Sequence, residues 1–401
     1  MKDFDTILKK VNPTYLSAKG CLVLLSKTGD ADIINFYNDM DKEHLLASTD
    51  ATDPKINQGR IISLEVRYNM WNLLSKETDC QTIVDLPCGY LPHSLIAARL
   101  NKNYYGFDLP VVTAEISSIA DKYLSQSEKS LVQYHGVDAT NYDSMRKALN
   151  DVKGKIFIMT DGLLGYFNRA DLKVVFANIH QLLSEFGGCW YISDSHFEEL
   201  IATTYAELTG RNMNEIMQAD SSGSREISEI ADDKRSFTEW KFDERRNFVE
   251  SHGFAIKKFY FADKVKVIPS LKDNPALMQR ILSEYQGLEG WILTAEATNA
   301  TDNQKFVPFA QEFSLKDETL SISISGRLDT ITAPKLLQKY EEERAKYRFK
   351  EIHINAAELE FISYAGLRVL NILRDSLEDK NLFKIDNADG KVENILKENG
   401  F

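Results

Sequence analysis

The sequence predicts an α/β protein with two domains. Between residues 82 and 194, apolar runs of strand length alternate with segments of helix length. A second, shorter alternation of the same kind begins at residue 319. The stretch between them at 299–305, NATDNQK, has no apolar pattern. Since alternating strands and helices are typical of parallel sheets, we expect domains at 1–298 and 306–401, joined by a linker at 299–305.

The first domain begins with a mostly helical region up to about residue 80. Ile62, Val66 and Met70 recur there at helical spacing. The alternating segment then predicts strands at 82–86, 104–108, 131–134, 155–160 and 189–193, and helices at 93–101, 111–125, 141–151 and 169–185. A polar helical insertion follows, with two further strands at 255–261 and 290–295. These elements predict a seven-stranded, mostly parallel sheet flanked by helices.

The second domain is shorter and shows the same alternation of predicted strands and helices. Residues 319–326, TLSISISG, alternate with period two, as a half-buried strand does. A helix at 333–347, a strand at 351–355 and a helix at 366–380 follow. The predicted product is a small α/β sandwich of about a hundred residues, a normal size for one domain.

Composition excludes several classes of partner. The chain has 401 residues and a formal net charge of −12, which argues against nucleic acid or an anionic membrane as its main partner. No apolar run approaches the roughly 20 residues that span a bilayer, and the N-terminus lacks a signal-peptide pattern. The four cysteines show no C-x-x-C spacing, so neither a zinc site nor a disulfide framework is indicated. We expect a cytoplasmic protein.

Four acidic residues follow or end predicted strands in the first domain: Asp85, Asp108, Asp138 and Asp161. The carboxyl ends of parallel strands share one edge of a sheet, where ligands of open α/β sheets bind. Asp108 is placed to accept two ribose hydroxyls, and Asp138 to accept an adenine amino group. The alternative is that these residues only cap the helices that follow the strands.

The turns between these strands carry no phosphate cradle. Neither G-x-x-x-x-G-K-[ST] nor a full G-x-G-x-x-G occurs. A nucleoside site without a diphosphate site suggests S-adenosylmethionine rather than NAD or ATP. The other interpretation of the same residues is an ordinary buried strand pair.

The first domain resembles the leucine carboxyl methyltransferase-like branch of class I S-adenosylmethionine-dependent methyltransferases, which includes polyketide O-methyltransferases. Four segments carry the resemblance: RIISLE at 60–65, VDLPCGY at 84–90, YGFDLP at 105–110 and DGLLGYF at 161–167. It implies a Rossmann-like sheet, S-adenosylmethionine as cofactor and a small-molecule methyl acceptor. The cofactor-binding residues it implies are Arg60, at the methionine carboxylate, and Asp85, Leu86, Pro87, Gly89, Asp108, Leu109, Asp138, Ala139 and Asp161.

The sequence departs from this family in the cofactor loop. Pro87 stands where the family prefers glycine, and LPH at 91–93 replaces its aspartate-threonine-arginine. Proline fixes φ and lacks an N–H, so we expect this loop to hold the cofactor less well than the family's loop does. A carboxylate acceptor needs no base, whereas a hydroxyl acceptor does. Asp161 and Tyr166 are the candidate catalytic residues, and His196 is a further candidate on position alone, with a structural role as the alternative.

The second domain resembles the STAS domain of anti-sigma-factor antagonists. The segments GRLD at 326–329 and FISYAGL at 361–367 carry this resemblance. It implies protein–protein contact or self-association. Tyr364 and Ala365 replace the serines of phosphorylated members, and Asn355 replaces an acid at a strand end, so we expect Ser363 to act as an N-cap. The face around Tyr364 and Leu367 is then a fixed docking surface.

Two functions follow as hypotheses. The first is an S-adenosylmethionine-dependent O-methyltransferase acting on a small carboxylic or hydroxylated molecule, with the STAS domain as a regulatory or oligomerising unit. The second is a catalytically impaired cofactor-binding or scaffold protein that works through its STAS domain. The loop departures favour the second hypothesis, and the acids at the strand ends favour the first.

Overall fold

The computed structural model describes residues 14–40, 53–211, 237–238, 240–296 and 307–401. The predicted linker at 299–305 lies outside these residues. The described chain forms two compact units, one up to residue 296 and one from residue 307. Among the described residues, no helix has the length and apolar character that crossing a membrane requires.

The first unit opens with three helices and continues as alternating strands and helices. Its helices are α1 (Thr14–Leu25), α2 (Ala31–Asp39), α3 (Pro54–Glu77), α4 (His93–Arg99), α5 (Pro110–Ala120), α6 (Gln126–Lys129), α7 (Tyr142–Ala148), α8 (Arg169–Phe186), α9 (Phe197–Thr209), α10 (Phe242–Ser251), α11 (Phe261–Lys264) and α12 (Pro275–Glu284). Its strands are β1 (Thr82–Asp85), β2 (Asn103–Asp108), β3 (Val132–Gly136), β4 (Ile156–Thr160), β5 (Gly188–Ile192), β6 (Phe254–Tyr260) and β7 (Glu289–Ala295).

These strands form one seven-stranded sheet in the order β3-β2-β1-β4-β5-β7-β6. The first five are parallel, and β7 runs antiparallel to both of its neighbours. The predicted mostly parallel sheet flanked by helices is therefore confirmed. The strand order reverses direction between β1 and β4, which is the point where open α/β sheets bind their ligands.

The sheet is buried on both faces. Successive residues Ile83 and Val84 of β1 belong to different apolar clusters because strand side chains alternate between the two faces. Trp71 of α3 joins the cluster on the Ile83 face, and Trp190 of β5 joins the other. Burial on both faces explains why the parallel strands read as continuous apolar runs.

The second unit is a four-stranded sheet with helices. Its elements are β8 (Ala310–Lys316), β9 (Thr319–Leu328), α13 (Ala333–Lys346), β10 (Glu351–Ile362), α14 (Tyr364–Asp375), β11 (Phe383–Asp386) and α15 (Gly390–Glu398). The sheet order is β11-β10-β9-β8, with only β8 antiparallel. The predicted small α/β unit is confirmed, and the sequence interpretation missed β8, β11 and α15.

Strand β10 is longer than predicted and contains irregularities. Its pairing with β9 shifts register after Asn355 and again after Leu359. Asn355 therefore lies in mid-strand, exposed, and accepts hydrogen bonds from the Ala357 N–H and the Asn387 side chain. The expectation that Asn355 ends its strand is wrong, because the bulged strand resumes pairing beyond it.

Candidate functional site

Strand register decides which acids reach the edge of the sheet. Asp85 pairs with Gly106 of β2 and with Met159 of β4, so Asp108 and Asp161 each lie two residues further along their strands. Two strand residues correspond to about 6.6 Å. Asp85 is thus recessed within the sheet, while Asp108 and Asp161 stand at its carboxyl edge.

Asp108 connects the end of β2 to the turn after β1. Its Oδ2 accepts the Gly89 N–H at 2.8 Å, and its Oδ1 accepts the Leu109 N–H at 2.7 Å. Each carboxylate oxygen has a further lone pair, and the side chain is only half-buried, so Asp108 can accept two more hydrogen bonds. Burial raises the pKa of Asp108, and the two backbone hydrogen bonds lower it. The effect of burial is larger, and the resulting pKa is about 6.

The turn after β1 approaches this edge through its backbone. Gly89 has φ +53°, a left-handed conformation that favours glycine. Pro87 and Gly89 are half-buried, whereas Leu86 and Cys88 are buried. The Cys88 N–H donates to the Phe107 carbonyl at 2.9 Å. The turn is therefore tied to β2 at two points.

Asp138 and Ala139 follow β3. Asp138 is buried and its Oδ1 accepts the Thr140 N–H at 2.7 Å. The Ala139 carbonyl accepts a hydrogen bond from Asn178 of α8 at 3.0 Å. Since Asp108 pairs with Gly136, Asp138 lies two residues beyond the level of Asp108, at the same edge of the sheet.

Asp85 differs from its expected role. It is fully buried and accepts three side-chain hydrogen bonds, from Trp71 at 3.1 Å, His93 at 2.8 Å and Tyr104 at 2.8 Å. The Trp71 and His93 rings stack with centroids 4.0 Å apart. The recessed register position explains this burial. Its carboxylate joins α3, α4 and β2 through these hydrogen bonds, beneath the turn that follows β1.

Asp161 lies at the end of β4 in a cluster with Arg67 and Ser193. Arg67 Nε and Nη2 donate to Asp161 Oδ1 at 2.8 and 2.6 Å, and the Ser193 hydroxyl donates to the same oxygen. Burial opposes ionisation of Asp161, but the Arg67 charge and these hydrogen bonds outweigh it and lower its pKa. A carboxylate held in this way is a weak proton acceptor, which argues against the predicted role as catalytic base.

The turn after Asp161 needs a glycine beside this cluster. Gly162 has φ +70°, and a Cβ there would lie 3.2 Å from Arg67 Nη2. The Arg67 guanidinium also packs over the Phe197 ring at 4.5 Å. Asp161 and Phe197 therefore hold the arginine from two sides, with Gly162 leaving room for it.

Asp194 is a fifth acid at this edge, one residue after Ser193. It is buried, and its Oδ2 accepts the Leu163 N–H at 3.3 Å. Burial, and then the nearby Asp161 charge, raise the pKa of Asp194 to about 6. Sequence reasoning missed Asp194, although it follows the fifth strand as the other acids follow theirs.

Sequence reasoning also missed Arg67 and selected Arg60 on the same helix instead. Both lie on α3, seven residues apart, which is about 10.5 Å along the helix axis. The structure brings Arg67, not Arg60, to Asp161. No pattern in the sequence singled out Arg67, because Glu65 is a second charged and buried residue next to Val66 on the same helix.

The two other candidate catalytic residues occupy different environments. Tyr166 is 40% exposed, in the loop after β4. His196 is buried, packs against the Phe261 ring, and shares hydrogen bonds with Ser195 and Tyr191. Burial lowers the pKa of His196 to about 3, so the imidazole is neutral. The alternative, structural role fits His196.

Helix α1 packs against the turn after β1. The Ala18 Cβ lies 3.6 Å from the place where a Cβ on Gly89 would stand. The buried Lys19 pairs with Glu115 of α5 at 2.7 Å, and the Tyr90 hydroxyl donates to the same carboxylate at 2.9 Å. This ion pair holds the helix against the loop.

In the second unit, helix α14 begins close against β9. Ser363 is buried and caps the helix, its Oγ accepting the Gly366 N–H at 3.5 Å, which confirms the expected N-cap. A Cβ on Gly366 would lie 2.6 Å from the Leu328 carbonyl, so this approach requires glycine. Leu367 is only 2% exposed, so the predicted docking surface around Tyr364 and Leu367 cannot include Leu367.

Comparisons with known proteins find likeness in structure alone. No family model matches the chain, and no curated protein matches its sequence. A candidate methyltransferase from Thermobifida fusca is 14% identical, with a TM-score of 0.36 over 70% of this chain and 94% of that one. An O-methyltransferase family protein from Burkholderia thailandensis is 10% identical, with a TM-score of 0.33 over 61% of this chain and 60% of that one. Human N-acetylserotonin methyltransferase, solved with S-adenosylmethionine, is 11% identical, with a TM-score of 0.30 over 61% of this chain and 56% of that one. Likeness at this level carries no argument about substrate or activity.

Proposed function

We propose that the chain is an S-adenosylmethionine-dependent O-methyltransferase that acts on a small carboxylic or hydroxylated molecule. The observation that carries this proposal is the Asp108–Gly89 pairing at the switch point of the sheet. It places a half-buried carboxylate with spare acceptor capacity beside a glycine backbone, without a phosphate cradle. This arrangement suits a ribose and an adenine better than a dinucleotide.

The residues at the edge fit the parts of this cofactor. Asp108 would accept the ribose hydroxyls, and Asp138 and Ala139 would lie on the adenine side. Gly89, Pro87, Leu86 and Leu109 would line the cofactor. The acids also suit the positive sulfonium, since opposite charges attract in a partly desolvated site. When bound, the cofactor supplies an electrophilic methyl group.

Arg67 replaces Arg60 as the candidate for the methionine carboxylate. Its Nε and Nη2 are held by Asp161, which fixes the guanidinium plane and leaves Nη1 for a second carboxylate. Asp161 then acts as a positioning residue. Methyl transfer depends mainly on holding the acceptor in line with the methyl group, so a rigid arginine contributes through geometry.

The second hypothesis, a catalytically impaired binding protein, has two observations in its favour. Asp161 is held by Arg67 and Ser193 with a lowered pKa, so it cannot serve readily as a base for a hydroxyl acceptor. Pro87 in the cofactor loop points the same way. Such a protein would still bind S-adenosylmethionine, and its activity would lie in the second unit.

For the second unit we propose a STAS-like role in protein contact or self-association. The capped helix α14, with Ser363 buried, supports a constitutive docking surface rather than a phosphorylated serine at that position. With Leu367 buried, the accessible part of this face is centred on the half-buried Tyr364 and Arg368, whose guanidinium lies 5.2 Å from the Tyr364 ring centre.

Isothermal titration of the full chain with S-adenosylmethionine and S-adenosylhomocysteine tests the proposal. We expect binding of both ligands, and weaker binding by Asp108→Ala than by Asp143→Asn, a variant of an exposed acid on α7. Binding of neither ligand by the folded protein would overturn the proposed function and leave only the scaffold form of the second hypothesis. Binding without methyl transfer to any carboxylic or hydroxylated acceptor in a screened panel would favour the second.

A further inference from the structure

Strand β8 is an edge of the second unit's sheet. It pairs with β9 over Ala310–Lys316, and within the described residues no strand pairs with its other side. The pairing has no register shift, and β8 contains no proline. Bulges and prolines are among the devices by which proteins prevent an open edge from pairing with another chain. Strand β8 uses neither, so its charged residues, Glu312 and Lys316, decide which strand fits this edge.

The turn after β8 fixes which backbone groups of the strand face outward. Both residues of this turn, 317–318, have positive φ, as a two-residue hairpin loop requires. Lys316 and Thr319 flank the loop and pair with each other, so they exchange hydrogen bonds as the first pair of the hairpin. Hydrogen-bonded and non-hydrogen-bonded pairs alternate along an antiparallel ladder. Phe313 and Leu315 therefore direct their N–H and C=O groups to the open edge.

The side chains of β8 are self-complementary about Ser314. When two copies of β8 pair antiparallel with Ser314 opposite itself, Glu312 of each copy lies opposite Lys316 of the other. Phe313 lies opposite Leu315 in the same way, and the two-fold axis repeats both contacts. Opposite charges and apolar side chains that face each other across a ladder stabilise the pairing. A register centred on Phe313 would place Glu312 opposite Ser314 and lose both ion pairs.

These side chains are accessible, and the neighbouring strand does not neutralise their charges. Glu312 and Lys316 are exposed, and Leu315 is 37% exposed. Across the ladder of their own sheet, Glu312 faces Ser323 and Lys316 faces Thr319, neither of which is charged. The carboxylate and the ammonium group therefore find their opposite charges directly across a strand only when a second β8 lies alongside.

We infer that β8 is a self-association edge, along which two copies of the chain join their second units into one continuous sheet with Ser314 on the two-fold axis. A single strand of seven residues buries far less surface than a permanent dimer interface does, so this dimer is reversible and depends on concentration. The inference concerns the second unit alone. It rests neither on cofactor binding nor on the face around Tyr364 and Arg368.

Analytical ultracentrifugation of the full chain over a range of concentrations tests this inference. We expect a reversible monomer–dimer equilibrium for the wild-type chain. Glu312→Lys and Lys316→Glu each place like charges opposite one another at both ends of the pairing. Each variant should therefore raise the dimer dissociation constant by about tenfold or more. Lys391→Glu makes the same change of charge at an exposed position of α15 and should dimerise as the wild-type chain does.

An equimolar mixture of the two β8 variants separates this register from every other surface. One chain then carries lysine at both positions and the other carries glutamate at both, so the mixed pair regains both ion pairs. We expect a dimer of Glu312→Lys with Lys316→Glu that is as tight as that of the wild-type chain. A wild-type chain that stays monomeric, or variants that fail to recover on mixing, would overturn the inference. Loss of the dimer in Arg368→Glu, with both β8 variants still dimeric, would overturn it too and place the contact on the α14 face.

Discussion

The carboxylate of Asp108 accepts the backbone N–H of Gly89 at 2.8 Å, so the acid that ends β2 also fixes the turn that follows β1. Two strands and the loop between them thereby act as one rigid element. A ligand that contacts either residue meets a geometry set by the other. This relationship is the basis for the first prediction.

Removing the Asp108 carboxylate should weaken S-adenosylmethionine binding by about 1.5–3 kcal/mol, the range for hydrogen bonds to a charged group. In the wild-type chain, affinity should also fall as the pH drops through about 6, because protonation removes the charged acceptor. Titration calorimetry of wild type and Asp108→Asn across this range checks both effects. A fall in affinity of equal size across this pH range in Asp108→Asn would assign the pH effect to another group. Asp194 is the first candidate, because its pKa is also raised to about 6.

Arg67→Ala should destabilise the first unit by about 3 kcal/mol, because it leaves the Asp161 carboxylate without its partner in a largely buried site. Denaturant unfolding measures the change, and a double-mutant cycle with Asp161→Asn isolates the pair. Arg246→Ala, which removes an exposed ion pair with Glu250, is the control and should cost under about 1 kcal/mol. Equal effects of the two arginine variants would contradict the prediction.

The Arg67–Asp161 pair should show its own pH dependence. The pKa of Asp161 is lowered in the folded state, so its stabilising effect is complete above the ordinary carboxyl pKa and is lost as the pH falls below about 4. The stability difference between wild type and Asp161→Asn should therefore be constant near neutral pH and shrink in acid. A difference that grows in acid would show that Asp161 is protonated in the folded state.

His196 should make the first unit sensitive to acid. Its folded pKa of about 3 lies below the ordinary value of 6.5, so the unfolded chain takes up a proton first as the pH falls. Each pH unit below about 6.5 then costs about 1.4 kcal/mol at most. His196→Gln should be less stable than wild type near pH 7 but lose less stability on acidification. Parallel curves for the two proteins would show that His196 is not buried as a neutral ring.

The second unit should fold alone. It has its own apolar core, formed by residues such as Ile322, Leu337, Ile354 and Leu370. Limited proteolysis should cut between about residues 298 and 308 and release a folded C-terminal fragment. Circular dichroism of the isolated 307–401 fragment, with a cooperative melt, checks the expectation. Resistance of this stretch to several proteases, together with an unfolded fragment, would contradict it.

Ser363 should act through stability and not through modification. Ser363→Ala should lower the stability of the second unit by about 1 kcal/mol, the usual cost of losing an N-cap. Partner binding or self-association should be unchanged in that variant, as measured by analytical ultracentrifugation. Asn355 lies about 25 Å earlier along an extended strand, so the acid that it replaces could not have acted on a phosphate at Ser363. A phosphorylated Ser363 that alters assembly would overturn this view.

The sequence by itself determined the order of strands in the first unit, the central strands and helices of the second, and the acids that follow the strands. Period-two and helical patterns are local properties, so β1 to β7 could be placed from residue spacing alone. Asp108 was found in this way, because parallel strands share a carboxyl edge whatever their lateral order. Strands β8 and β11 escaped prediction since most of their residues are exposed and carry little apolar signal.

Only the tertiary structure decided which side chains meet at the edge. The strand register places Asp85 two residues short of the level of Asp108. The pairing between separate strands that sets this register cannot be read from the local sequence pattern of either strand. Packing of α3 against the sheet selected Arg67 over Arg60, although both arginines lie two turns apart on one helix. Long-range contacts of this kind depend on how the elements pack, which the spacing of residues along the chain does not specify.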